Sequence, residues 1–278
     1  MMRKSFTLIN RESEFIRGDL HYRSGVREAP AVIICHGFKG FKDWGFFPAL
    51  AERLAEDGYV AITFNFSRNG IGSDMQTLTE MDKFSRNTLS HELADLKIVT
   101  ENVYSGQIGN GYIDRERIGL LGHSRGGATA LLHTAQNKNI KALVTWAAIS
   151  TFHRYTGEQT KKWQKDGFIE IENARTKQLL RLDKEVLDDL VKNEKKLDIL
   201  AAAQKIQIPT LIIHGDRDNS VPVDEGYLIH KEIGSALKEL EIIEDADHTF
   251  QISHPMNSIS EYFNTALDLT ENWFDNYL

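Results

Sequence analysis

The segment Gly122-His123-Ser124-Arg125-Gly126-Gly127 holds the residues best suited to chemistry. It has the form G-x-S-x-G, directly after an apolar run and directly before a small-residue helical pattern. A sharp strand-to-helix turn forces the central serine into an unfavourable backbone conformation, so its neighbours two positions away must be small. Such a turn points the hydroxyl outward and sets it at a helix N-terminus, where backbone N–H groups favour negative charge. Acyl transfer is the chemistry this suits. It needs a base to take the serine proton and a carboxylate to orient that base.

Both partners have downstream candidates. The run Thr210–Ile213 is followed by His214-Gly215-Asp216-Arg217-Asp218-Asn219-Ser220-Val221-Pro222. Asp218, deeper in this loop, is the preferred acid, and Asp216 is the alternative, with a loop-bracing role as its other reading. His248, in Asp247-His248-Thr249-Phe250, follows the last apolar run and is the expected base. His254, before Pro255, is the second candidate, with a loop-anchoring role as its structural reading. An oxyanion hole needs two donors aimed at the tetrahedral oxygen. The backbone N–H of Arg125 is one. The loop His36-Gly37-Phe38-Lys39-Gly40 offers the other at Phe38, where a glycine neighbour allows close backbone approach.

Other reactive residue types take structural readings. Cys35 and His36 are adjacent on a strand and point to opposite faces, so they cannot pair, and Cys35 reads as a small buried hydrophobe. His214 and Asp216 are the one pair near metal spacing, and a strand-end His-Gly turn needs no metal, so no metal site is expected. The loop 65–74 has two glycines but lacks the spacing of a phosphate-binding fingerprint, and reads as a brace for the floor of the site.

The elements that must position these residues show as short apolar runs. Ala31–Cys35, Tyr59–Phe64, Arg117–Leu121, Lys141–Ala148, Thr210–Ile213 and Leu237–Ile243 have strand length, and most are continuous, as expected for a sheet covered on both faces. Helical patterns fall at Phe47–Asp57, Leu89–Val103, Gly126–Leu132 and Ile259–Tyr277. The alternation predicts a mostly parallel α/β sheet with crossovers. Phe6–Asn10 and Phe15–Tyr22 lack an intervening helix and predict an antiparallel hairpin at one sheet edge. Residues 151–205 break the rhythm: they hold no evident strand-like run, are densely charged, and are expected to form a helical cap or a solvated excursion. Phe152 and Trp163 within them could line a substrate site or form cap core. The whole chain, 1–278, reads as one domain containing this insertion.

Composition excludes other classes. With 278 residues and 41% apolar content the chain can bury a large core. One cysteine rules out an internal disulfide framework. A net charge of −7 argues against general nucleic-acid binding. No apolar stretch reaches membrane-spanning length, and Ser5–Asn10 alternates like a strand where a signal peptide would be continuous, so a cytoplasmic protein is expected.

Taken together, His36-Gly37-Phe38, Gly122-His-Ser124-Arg-Gly126-Gly127, His214-Gly215-Asp-Arg-Asp218-x-x-Val221-Pro222 and Asp247-His248-Thr249-Phe250 resemble the α/β-hydrolase superfamily. Within it the sequence is similar to small bacterial carboxylesterases of the dienelactone-hydrolase and cinnamoyl/feruloyl-esterase kind, over about residues 25–278. The resemblance implies Ser124 as nucleophile, Asp218 as acid, His248 as base and Phe38 and Arg125 as oxyanion donors, with residues 151–205 as the substrate cap. Dienelactone hydrolases proper use a cysteine where this chain has Ser124. The expected activity is hydrolysis of small to medium carboxylic esters without a cofactor. Thioesterase, amidase or acyltransferase chemistry on the same triad is the alternative, and a non-catalytic binding protein is disfavoured because all three triad residue types are present. An exopeptidase of the prolyl-oligopeptidase type is set aside because the large extra domain of those enzymes is not seen. The expected partner is a small-molecule ester. The oligomeric state is left open, a homodimer included.

Overall fold

A computed structural model describes residues 1–173 and 176–278. Its centre is an eight-stranded sheet. In chain order the strands of that sheet are β1 (Met2–Ile9), β2 (Phe15–Tyr22), β3 (Ala29–Cys35), β4 (Val60–Asn65), β5 (Ile113–His123), β6 (Ile140–Trp146), β9 (Thr210–Gly215) and β10 (Lys238–Ile243), with β7 (Phe168–Glu172) and β8 (Leu179–Asp183) forming a separate hairpin. The spatial order is β1-β2-β4-β3-β5-β6-β9-β10. β1 and β2 pair antiparallel at one edge, as their uninterrupted succession predicts, and β2 joins β4 antiparallel. Every pairing from β4 through β10 is parallel.

Both faces of this sheet are covered, which is why its central strands read as continuous apolar runs. Along β3, Ala31, Ile33 and Cys35 face one core while Val32 and Ile34 face the other. The first core is closed by α3 (Leu89–Ser105), α4 (Arg125–Thr134), α7 (Ile199–Ala203) and α8 (Asp224–Glu232). The second is closed by α1 (Phe47–Glu56) and α9 (Glu261–Tyr277). α1 begins with Pro48 in its first turn and stops before Gly58, whose φ of 100° suits glycine. Thr88 and Ser260 cap α3 and α9 through their side chains. Among the described residues no helix is long and apolar enough to cross a membrane.

The insertion departs from the helical expectation. It contains α5 (Gly157–Asp166), the antiparallel hairpin β7–β8 and α6 (Lys184–Lys192). The hairpin strands, Phe-Ile-Glu-Ile-Glu and Leu-Leu-Arg-Leu-Asp, alternate apolar and charged residues over only five positions each. One face is buried and the other meets water, so a run-based reading passes over them. Trp163, Ile169, Leu180, Leu182, Val186 and Leu187 form a third core. Phe84, from α2 (Met81–Ser85) of the main body, completes it. Ser85 Oγ donates to Asp183 at 2.7 Å and Ser90 N–H donates to Asp189 at 3.0 Å, fixing the insertion to the body.

Candidate active site

The C-terminal ends of parallel strands converge on one cleft, the usual place for a ligand on an open α/β sheet. Ser124 sits between the end of β5 and the start of α4 with φ 55° and ψ −123°, the strained conformation that its glycine neighbours predict. A Cβ on Gly126 would lie 2.4 Å from His36 O, and one on Gly122 would lie 2.3 Å from Gly126 O, so both positions require glycine. Ser124 N–H donates to Trp146 O at 2.8 Å, tying the turn to β6.

His248 lies in the loop after β10. Ser124 Oγ and His248 Nε2 are 3.1 Å apart, and His248 Nδ1 is 2.7 Å from Asp218 Oδ2. Asp218 is held from behind, where its Oδ1 accepts the N–H groups of Ser220 and Val221 at 2.8 Å each. Burial alone would raise the Asp218 pKa, but hydrogen bonds from His214 and His248 outweigh it and hold the carboxyl well below the usual range. The group is therefore an anion throughout the neutral range and accepts from His248 Nδ1–H.

Two further histidines, His123 and His214, hold this arrangement. His123 Nε2–H donates to His248 O at 2.9 Å, and burial pushes the His123 pKa down to about 3, so the ring stays neutral. His214 Nε2–H donates to Val221 O at 2.9 Å and lies 3.5 Å from Asp218 Oδ2. Asp216, the alternative acid, is exposed and turns away, accepting Asp245 N–H at 2.7 Å. His254 accepts Gly45 N–H at 2.9 Å and packs on Phe41 and Trp44, which fits its loop-anchoring reading.

The His36–Gly40 loop reaches the serine from the end of β3. A Cβ on Gly37 would meet Ser124 Cβ at 3.0 Å, which shows how closely the backbones approach. The loop turns through a Gly40 N–H to Gly37 O bond of 3.0 Å, with Lys39 at φ 60°. Among the described residues no acceptor takes the N–H of Phe38 or Arg125. Arg125 stands 4.9 Å over the Phe38 ring and donates to Glu92 at 2.9 Å. The 65–74 loop braces this region: Phe66 N–H donates to His36 Nε2 at 3.3 Å, and Asn65 accepts Lys42 N–H at 2.8 Å. Cys35 is fully buried, and burial raises its thiol pKa well above the ordinary value.

The cleft has a volume of about 290 Å³. Ser124 and His248 open onto it, with Phe38, Ile149, Phe152 and Tyr155 among its walls. Phe152 thus occupies the lining role considered for it. Trp163 does not: it is 0% exposed in the third core and stacks edge-on to Tyr155 at 5.0 Å, one layer behind the cleft. Of Trp163's two readings, cap core is the one realised. Tyr155, Val186 and Leu190 line the cleft and were not singled out from the sequence. The apolar spacing Val186-Leu187-Leu190 on α6 is the signal that marks a buried face there.

Sheet order, crossovers and the strand–turn–helix element at Ser124 define an α/β-hydrolase fold, and the protein is a hydrolase of that fold. Its residues 44–277 match the model of the prolyl oligopeptidase family, and the chain belongs to that family. The matched span contains Ser124, Asp218 and His248, and leaves Phe38 just outside it. Among curated proteins it is 28% identical over 249 residues to "Putative esterase YitV" of Bacillus subtilis, covering 87% of this chain and 91% of that one. Among solved structures, Est1E from Butyrivibrio proteoclasticus with ferulic acid bound superposes with a TM-score of 0.74 at 18% identity, covering 98% of both chains. A dienelactone hydrolase from Anabaena variabilis has a TM-score of 0.66 at 17% identity, with all of each chain covered.

Proposed function

We propose that the protein is a serine carboxylesterase acting on small to medium esters. The observation that carries this reading is the continuous hydrogen-bonded chain from Ser124 Oγ through His248 to Asp218, at 3.1 and 2.7 Å. Ser124 Oγ attacks the ester carbonyl as its proton passes to His248 Nε2. Asp218 remains ionised and stabilises the imidazolium. The N–H groups of Phe38 and Arg125 receive the developing oxyanion. His248 then protonates the leaving alcohol, and water, activated by the same base, cleaves the acyl-enzyme. The likeness to "Putative esterase YitV" and to Est1E with ferulic acid bound supports an ester substrate, and the aromatic walls Phe38, Phe152 and Tyr155 suit an acyl or aryl group.

Hydrolysis of p-nitrophenyl esters from acetate to decanoate tests the reading. Wild type should turn them over, and Ser124→Ala should lose at least about 10⁴-fold in kcat while keeping its circular dichroism spectrum. Membership of the prolyl oligopeptidase family favours a second reading, amide or peptide hydrolysis by the same residues. Aminoacyl p-nitroanilides in the same assay separate the two. Turnover of anilides but not esters would displace the carboxylesterase reading.

A further inference from the structure

Next to the cleft a second pocket of about 230 Å³ opens at the surface. The two share Phe152 and Leu190 as lining residues, and nothing else. Beyond this pair, the second cavity is walled by Leu197, Ile199 and Leu200, with His153, Glu194 and Asp198 among its polar residues. Phe152 is 8% exposed and packs in the first core with Leu190, Leu197 and Ile199. Phe152 and Leu190 therefore border both spaces, and the second has an apolar wall of Leu197, Ile199 and Leu200 with the exposed His153, Glu194 and Asp198 at its rim.

We propose that Phe152 is the specificity-determining residue of this hydrolase. It ends the substrate pocket and so sets the chain length that the cleft accepts. The proposal rests on the esterase reading for its kinetics but not for its geometry. Truncating the ring joins two cavities that are otherwise separate, and each methylene newly taken out of water strengthens binding about fourfold.

The test has a kinetic and a binding part. In the first, wild type, Phe152→Ala and Phe152→Leu are compared on p-nitrophenyl acyl esters and on acetates of n-alkanols, from two to ten carbons. Phe152→Ala should move the kcat/KM optimum at least two methylenes longer in one of the two series, and Phe152→Leu, the milder change should alanine fold poorly, should move it less. Adding Leu200→Trp to fill the second cavity should reverse the shift. In the second part, n-alkanoates and n-alkanols of four to ten carbons are titrated calorimetrically into Ser124→Ala with and without Phe152→Ala. Affinity should keep rising with length only when the ring is gone. Unchanged length dependence in both parts would overturn the proposal. A shift in binding without ester turnover by wild type would uphold the wall and overturn the esterase reading instead.

Discussion

Asp218 and Asp216 are two residues apart and chemically identical, yet they occupy opposite environments. The Asp218 carboxylate is buried, takes two backbone N–H groups and faces His248, whereas Asp216 is exposed and braces the neighbouring loop. Replacing Asp218 by Asn removes the acceptor that fixes the His248 tautomer and should lower kcat by about 10⁴-fold. Asp216→Asn should stay within a few-fold of wild type. Steady-state kinetics on one ester decides between them, and a larger loss at Asp216 would reverse the assignment. That Ser124, His248 and Asp218 come together could be read from the sequence because each stands in a short loop after an apolar run. The supporting roles of His123 and His214 could not, since each depends on how a loop folds back in space: His123 reaches His248 O, 125 residues on, and His214 reaches Val221 O across the curled loop that directly follows it.

At the scale of elements, the tightest constraint is the turn between β5 and α4. A methyl group on Gly126 would press on the carbonyl oxygens of His36 at 2.4 Å and Cys35 at 2.5 Å, both backbone atoms that have little room to yield. Gly126→Ala should therefore destabilise the fold by roughly 1–3 kcal/mol, an overpacking cost, and displace the His36–Gly40 loop with it. Urea unfolding measures the first effect, and a fall in kcat beyond any loss of folded protein measures the second. The central strands were legible as continuous runs because helices cover both their faces. The β7–β8 hairpin was not, because only one of its faces is covered and five-residue alternation is hard to distinguish within a charged segment. β5 is also longer than its apolar run, since Asp114, Arg115 and Glu116 near its start carry charged side chains.

For the molecule as a whole, sensitivity to acid follows from histidines buried in neutral form. Burial lowers His21, His36 and His133 to about 4 and His123 to about 3, against 6.5 for a free ring. An unfolded chain takes up protons at these sites that the folded one refuses, so their stabilising contribution is complete above about pH 6.5 and is lost as pH falls toward 4. Asp95, raised to about 6, and Glu271, raised to about 7, both by burial, act in the opposite sense but are outnumbered. Unfolding free energy should thus fall between pH 6.5 and pH 4, by on the order of 1 kcal/mol or more per pH unit. Urea midpoints at pH 7, 6 and 5 check this, and a midpoint that holds constant or rises on acidification would contradict it.

Phe84 belongs to two neighbourhoods at once. Its ring stacks on Phe38 at 5.6 Å, and it is also one of the residues that close the core of the insertion. The core of the insertion and the Phe38 loop beside Ser124 are thus joined by aromatic packing, with Phe38 itself also set against that core. Moving the insertion away from the body would therefore strip packing from the Phe38 loop, so the two should shift together or not at all.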